Sequence, residues 1–234
     1  MNRNQWTQTH AQGLDIDAGL RSHMISIYNY MGLGLALTGL VAFLAASSPA
    51  LMQTIFMSPL KWVVMLAPLG VVFYLSSSMN RIAASTAQTL FWVYAGLMGL
   101  SLSSLFYVFT LSSIARVFFI TASVFGSMSI YGYTTKRDLT SMGSFLIMGV
   151  WGVFLASIVN LFLQSSGMQF GISILCVLIF TGLTAYDTQT LKSMYFENDD
   201  AEVQNKKAIF GALNLYLNFI NIFISLLHLF GDRK

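Results

Sequence analysis

Asp187 closes a 48-residue stretch, Leu139–Tyr186, that contains no Asp, Glu, Lys or Arg. A carboxylate held in hydrocarbon costs several kcal/mol unless it is neutralised, paired or hydrated, so an acid placed there is a functional-site candidate. Three influences compete over its proton: desolvation, the C-terminal end of its helix and any cation nearby. Arg81 is the only basic residue between the second and third apolar runs, and it is the natural cation on the same side. Its alternative role is an interface anchor, as for most loop arginines.

A second constellation lies near the C-terminus. Asn214, Asn218, Asn221, Ser225 and His228 are separated by four, three, four and three residues. That spacing puts all five on one helix face, a face that cannot look at lipid. Two readings stand: the stripe hydrogen-bonds across helices and fixes packing, or it lines a path for water or ions. Thr181 and Thr184, one turn apart and leading into Asp187 and Thr188, offer a matching polar surface on the preceding helix.

Other chemistries find little support. His228 has no second His, Cys or paired Asp at metal spacing, so no metal or cofactor is expected. Glu197–Glu202 is acidic but lacks the alternating ligands and central glycine of an EF-hand, and reads as a solvated connector. Gly32-Leu33-Gly34 lacks the third glycine and strand context of a dinucleotide loop. No serine or cysteine nucleophile has an evident base, and an enzyme is not expected. Cys176, the single cysteine, sits among Leu175, Val177 and Leu178 and reads as an inert buried thiol.

The elements that must position these residues follow from composition. With 56% hydrophobic and 9% charged residues among 234, and a mean hydropathy of +0.68, the chain is too apolar for a soluble domain and reads as an all-α integral membrane protein. Basic residues are scattered, so the pI near 9.0 does not point to nucleic acid. Runs long enough for a hydrocarbon core of about 20 helical residues predict seven helices. These are Ile25–Ala46, Trp62–Met79, Ala83–Phe109, Ile114–Tyr133, Ser141–Leu163, Gln169–Leu191 and Ala208–Phe230, with Gln164–Gly167 as the break between the fifth and sixth. Residues 1–24 lack the pattern of a signal peptide and are expected to form a polar cytoplasmic tail, 25–230 one transmembrane domain, and 231–234 a short tail.

Eight basic residues fall on the N-terminal side (Arg3, Arg21, Arg81, Lys136, Arg137, Lys192, Lys206, Lys207) against four on the other (Lys61, Arg116, Arg233, Lys234), which favours a cytoplasmic N-terminus. A six-span form with a re-entrant last segment is the alternative. Lys192 and the Lys206–Lys207 pair should hold the inner ends of the last two helices at the membrane surface, leaving Asp187 a turn or two inside. Glycines at close-packing spacing (Gly32, Gly34, Gly39, Gly96, Gly99, Gly149, Gly152) are expected to serve helix packing.

Gly182-Leu183-Thr184-Ala185-Tyr186-Asp187-Thr188-Gln189, followed by Leu215-Tyr216-Leu217-Asn218-Phe219-Ile220-Asn221-Ile222-Phe223, resembles the Bax inhibitor-1 family in its bacterial branch. So does Tyr131–Leu139. The resemblance runs from about Ala18 onward and implies a seven-helix bundle with the last helix central, in the bacterial inner membrane. It also implies a pH-sensitive calcium leak, associated in eukaryotes with suppression of cell death. Bacterial relatives have been linked to control of a membrane-bound protease.

The family's sensor pairs an aspartate in the Tyr-Asp motif with one in the last helix, and an arginine from the second-to-third helix region can pair with them. By that resemblance Asp187 matches the first acid and Arg81 the arginine, while Asn218 stands where the second acid belongs and His228 where arginine is frequent. Two close carboxylates share a proton and titrate as a unit. Asn has no acidic proton, so the expectation here is an Asp187–Arg81 pair with Asn218 as a neutral hydrogen-bond partner. Two functions compete: a proton-gated cation leak with calcium or protons as permeant ions, and a non-conducting membrane protein that restrains another membrane complex.

Overall fold

The computed structural model describes residues 3–79 and 81–234, with side chains from Ala18 onward. Among the described residues nine helices follow in order: α1 Arg3–Ala46, α2 Pro49–Phe56, α3 Leu60–Ser78, α4 Ala84–Leu102, α5 Leu105–Val108, α6 Leu111–Thr134, α7 Thr140–Leu163, α8 Ser166–Ser193 and α9 Ala201–Phe230. Seven segments of these described residues are long and apolar enough to cross a membrane, beginning at Ala18 in α1 and taking α4 and α5 together. The chain is an all-α membrane protein.

Several boundaries differ from the sequence expectation, each for a local reason. α1 starts at Arg3, so the polar residues expected as a tail are helical; no proline interrupts them. The third span breaks after Leu102, where Ser103 and Ser104 turn their hydroxyls onto the carbonyls of Leu100 and Ser101 and compete with the helix ladder. Ser48 caps the short α2, with Pro49 at its first position. α9 starts seven residues earlier than expected, at Ala201 rather than Ala208. Asp200 accepts from the Val203 amide at 2.8 Å and Asp199 pairs with Lys207. The acidic segment expected as a plain connector thus caps and clamps α9, where negative charge suits a helix N-terminus.

At the α7–α8 corner, Gln164 takes a left-handed conformation (φ 50°), and the Asn160 side chain accepts from the Ser165 amide at 3.0 Å. At the other end of α7, Asp138 accepts from the hydroxyl and amide of Thr140, which hold its carboxyl below the usual range.

Among the described residues α9 packs against α1, α4, α6 and α8 and is buried along most of its length, whereas α7 leans mainly on α8 and α3 on α4 and α2. One polar node sits deep in the packing. Tyr216 Oη lies 2.7 Å from Thr38 Oγ1, which itself donates to the Ala95 carbonyl at 2.8 Å, and the Tyr94 ring packs edge-on against Tyr216. Among the glycines expected to serve packing, Gly34, Gly99 and Gly149 are pressed against neighbours, while Gly32, Gly39, Gly96 and Gly152 face open space. The tail after α9 is held too: Phe109 and Arg233 form an antiparallel bridge, and Arg116 pairs with Asp232 at 2.8 Å.

Candidate functional site

Asp187 sits on α8, six residues before the helix ends at Ser193, or about 9 Å along the axis at 1.5 Å per residue. Cys176, Phe180 and Leu183 share its face, spaced four, three and four residues apart. Among the described residues α7 and α9 both pack on α8, with no comparable contact to each other. The groove left between them is a cavity of about 520 Å³, with Asp187, Asn214, Asn218 and Asn221 among its walls and Val150, Phe154 and Ser157 of α7 opposite. Asn218 Nδ2 donates to Asp187 Oδ2 at 2.6 Å, joining α9 to α8 across its edge. Asn218 is buried and Asp187 half-buried. At about 30 Å³ per molecule, the cavity holds on the order of ten waters, and its polar wall supplies their partners.

The polar stripe divides. Asn214 is exposed and, like Asn218 and Asn221, lines the cavity. Asn221 Nδ2 donates to its own helix, at the Leu217 carbonyl, leaving its oxygen for the cavity. Ser225 is buried beyond it. His228 lies ten residues past Asn218, about 15 Å along the axis, with its ring against Phe109. The threonines of α8 do not form the expected facing surface. Thr184 and Thr188 bond back to the carbonyls of Phe180 and Thr184, and Thr181 Oγ1 is buried without a partner.

Arg81 is exposed in the α3–α4 turn. Among the described residues it forms no ion pair with Asp187; α3 packs mainly on α4 and α2, and α4 on α1, α3 and α9. The amide of Asn218, not a guanidinium, meets the carboxylate.

The remainder of the α8 motif does mechanical work. Gln189 Oε1 accepts from the Leu139 amide at 2.9 Å while its Nε2 donates to the Arg137 carbonyl at 2.8 Å, and Lys192 Nζ donates to the Tyr133 carbonyl at 2.9 Å. Gly132 lies flat on α8: a β-carbon there would stand 2.2 Å from the Ala185 oxygen. The segments Tyr131–Leu139 and Gly182–Gln189 are therefore one contact, a clamp that fixes α8 against α6 directly beside Asp187. Residue types alone did not mark Gln189 and read Lys192 only as a membrane-surface anchor; the readable signal for the contact was only that two motifs without catalytic chemistry occur in one chain.

The model of the family described as "Inhibitor of apoptosis-promoting Bax1" matches residues 20–234, nearly all of the chain. The chain belongs to the Bax inhibitor-1 family. Relatives in several bacteria match nearly end to end. Protein RP147 of Rickettsia prowazekii is 48% identical over 97% of this chain and 96% of its own length. Inner membrane protein YbhL of Escherichia coli K12 is 44% identical over 93% and 94%. A membrane protein of Streptococcus pyogenes serotype M1 is 34% identical over 92% and 94%. In this Bax inhibitor-1 chain the acid of the Tyr-Asp segment is matched across the groove by an amide.

Proposed function

We propose that this protein is a proton-sensitive, low-conductance cation leak with calcium as the permeant ion, in the bacterial inner membrane with its N-terminus in the cytoplasm. The observation that carries the reading is the 2.6 Å bond between Asn218 and Asp187 at the wall of a groove large enough for several waters. Calcium takes roughly six to eight oxygen ligands, and affinity rises with the number of charged ones. Asp187 supplies one carboxylate, Asn214 and Asn221 supply neutral oxygens, and water completes the shell. One charge in a hydrated groove suits passage rather than storage.

The proton acts on the same atom pair. As a carboxylate, Asp187 is acceptor-only and takes the Asn218 amide while attracting a cation. Once protonated it attracts none, its bond from Asn218 loses its charge assistance, and its O–H donates to groove water or, where the amide turns, to the Asn218 oxygen. Sensing rests on this pair, with Arg81 as an anchor at the membrane surface. The inner-membrane placement is supported by the likeness to YbhL, and the orientation by the eight basic residues against four.

A second reading has one specific observation in its favour: Asn218 leaves the groove a single carboxylate, which weakens any cation site. In that reading the chain does not conduct and restrains another membrane complex. Calcium flux through the purified protein in liposomes separates the two. Flux that depends on pH supports the leak; absence of flux together with a stoichiometric membrane partner supports the restraint.

A further inference from the structure

Among the described residues α1 and α6 both rest on α9 without extensive packing along one another, which leaves a seam between them. At the end of the bundle where α8 finishes, the seam widens into a crevice of about 490 Å³. Its walls are Met24, Ile25 and Tyr28 from α1 and Gly126, Ile130 and Tyr133 from α6, with Arg21 at its edge. Ile25 and Ile130 are exposed at the mouth, so the crevice opens sideways into the bilayer.

The crevice is graded along its length. Arg21 and Tyr28 are seven residues apart, about 10 Å on a helix. Because α1 and α6 run in opposite directions, Tyr133 lies level with Arg21, and Gly126 lies deeper, level with Tyr28. Cations gather at the shallow end. Lys192 Nζ stands 4.8 Å from the centre of the Tyr133 ring, and Lys136 and Arg137 follow directly after α6. Most acids at this end are engaged by other groups: Asp199 pairs with Lys207 and Glu202 with Lys206, Asp200 caps α9 and Asp138 accepts from Thr140, while Asp17 precedes Arg21 by one turn and Glu197 lies in the α8–α9 loop. Below the rim the walls are mostly apolar, the Ser129 hydroxyl apart, and the deep end is vacant, since a β-carbon on Gly126 would meet nothing within 4 Å.

A cationic rim above an apolar trough open to the bilayer matches one kind of molecule. We propose that this crevice binds a single anionic phospholipid from the leaflet on the α8–α9 loop side. Its phosphate is held at Arg21 within the field of Lys192, and one acyl chain lies along Gly126 and Ile130. A zwitterionic lipid fits the trough equally well but lacks net charge to match the rim, and a free phosphate matches the rim but leaves the trough empty.

Native mass spectrometry of the full chain, released from detergent after equilibration with phosphatidylglycerol and phosphatidylcholine of identical acyl chains, tests the site. The expected result is one retained lipid, with phosphatidylglycerol favoured roughly five-fold, the weight of one basic residue near a membrane surface. Arg21→Gln should bring the ratio close to one without removing the lipid. Gly126→Leu, which fills open space, should remove both lipids. Equal retention of the two lipids by the unmodified chain, or full retention of phosphatidylglycerol by Gly126→Leu, overturns the proposal. So does displacement of the lipid by free glycerol phosphate, which would mark a phosphate site. Arg21 is exposed, so its variant folds and decides the matter even where Gly126→Leu does not.

Discussion

Asn218 on α9 donates its amide hydrogen to the Asp187 carboxylate on α8 at 2.6 Å, and this bond closes one edge of a groove that α7 does not cover. The partner is neutral and carries no proton of its own to share. Whatever proton reaches this site therefore belongs to Asp187 alone, and the bond from Asn218 weakens when it arrives, because its acceptor is no longer charged.

Removing the donor should be felt in stability as well as in function. Asn218→Leu keeps the volume but leaves the half-buried carboxylate without its amide, so the expected loss is about 1.5–3 kcal/mol, the range for hydrogen bonds to charged groups. Thermal unfolding in detergent measures it. The loss should shrink in acid, where a neutral Asp187 no longer needs the donor, whereas a loss independent of pH would assign Asn218 to packing only.

The clamp beside the site can be tested with two glycines. A β-carbon at Gly132 would stand 2.2 Å from the Ala185 oxygen, so Gly132→Ala must push α6 and α8 apart and should cost about 1–3 kcal/mol. Gly152 faces open space, and Gly152→Ala should be neutral or stabilise by up to about 1 kcal/mol through helix propensity alone. Equal unfolding temperatures for the two variants would contradict the close α6–α8 contact.

Gln189 holds both strands of the α6–α7 turn, at Arg137 and Leu139. Gln189→Ala strips two hydrogen bonds from backbone groups and is expected to cost about 1–3 kcal/mol. Hydrogen exchange should show faster exchange at the Leu139 amide while the middle of α9 stays protected. Unchanged protection at Leu139 would show that the turn holds itself.

Much of this architecture was readable beforehand, because hydropathy and helical spacing act locally. The seven spans follow from apolar runs long enough to cross hydrocarbon, and the Asn214–Asn218–Asn221 stripe from a three-and-four spacing that puts three amides on one wall. What escaped depends on contacts between distant segments. No periodicity tells Gln189 that it will meet Arg137 and Leu139, or Gly132 that it will lie on Ala185. Serine hydroxyls at Ser103 and Ser104 break a span that is apolar enough to continue. Asp187 was expected to have Arg81 as its cation and Asn218 as a neutral partner; the Asn218 amide does donate to it, but among the described residues no ion pair joins it to Arg81, whose place in the α3–α4 turn is set by packing that charge alone does not reveal. Thr184 had the right spacing but spends its hydroxyl on its own helix, a choice that spacing cannot reveal.

Restoring an acid opposite Asp187 should alter the pH response. In Asn218→Asp two carboxylates at hydrogen-bond distance hold one proton between them and titrate together. The pH midpoint of calcium flux through proteoliposomes should move upward relative to the unmodified chain, with faster flux where both groups are ionised. An unchanged midpoint would place the sensor elsewhere.

The most direct measurement follows calcium flux through the purified protein in liposomes from neutral to acid pH, for the unmodified chain and for Asp187→Asn. An amide at this position keeps the shape and can still bond to Asn218, but it neither ionises nor draws a cation into the groove. The account predicts a flux that changes with pH in the unmodified chain and a low, pH-independent flux in Asp187→Asn. A variant that kept both the rate and the pH profile of the unmodified chain would contradict it.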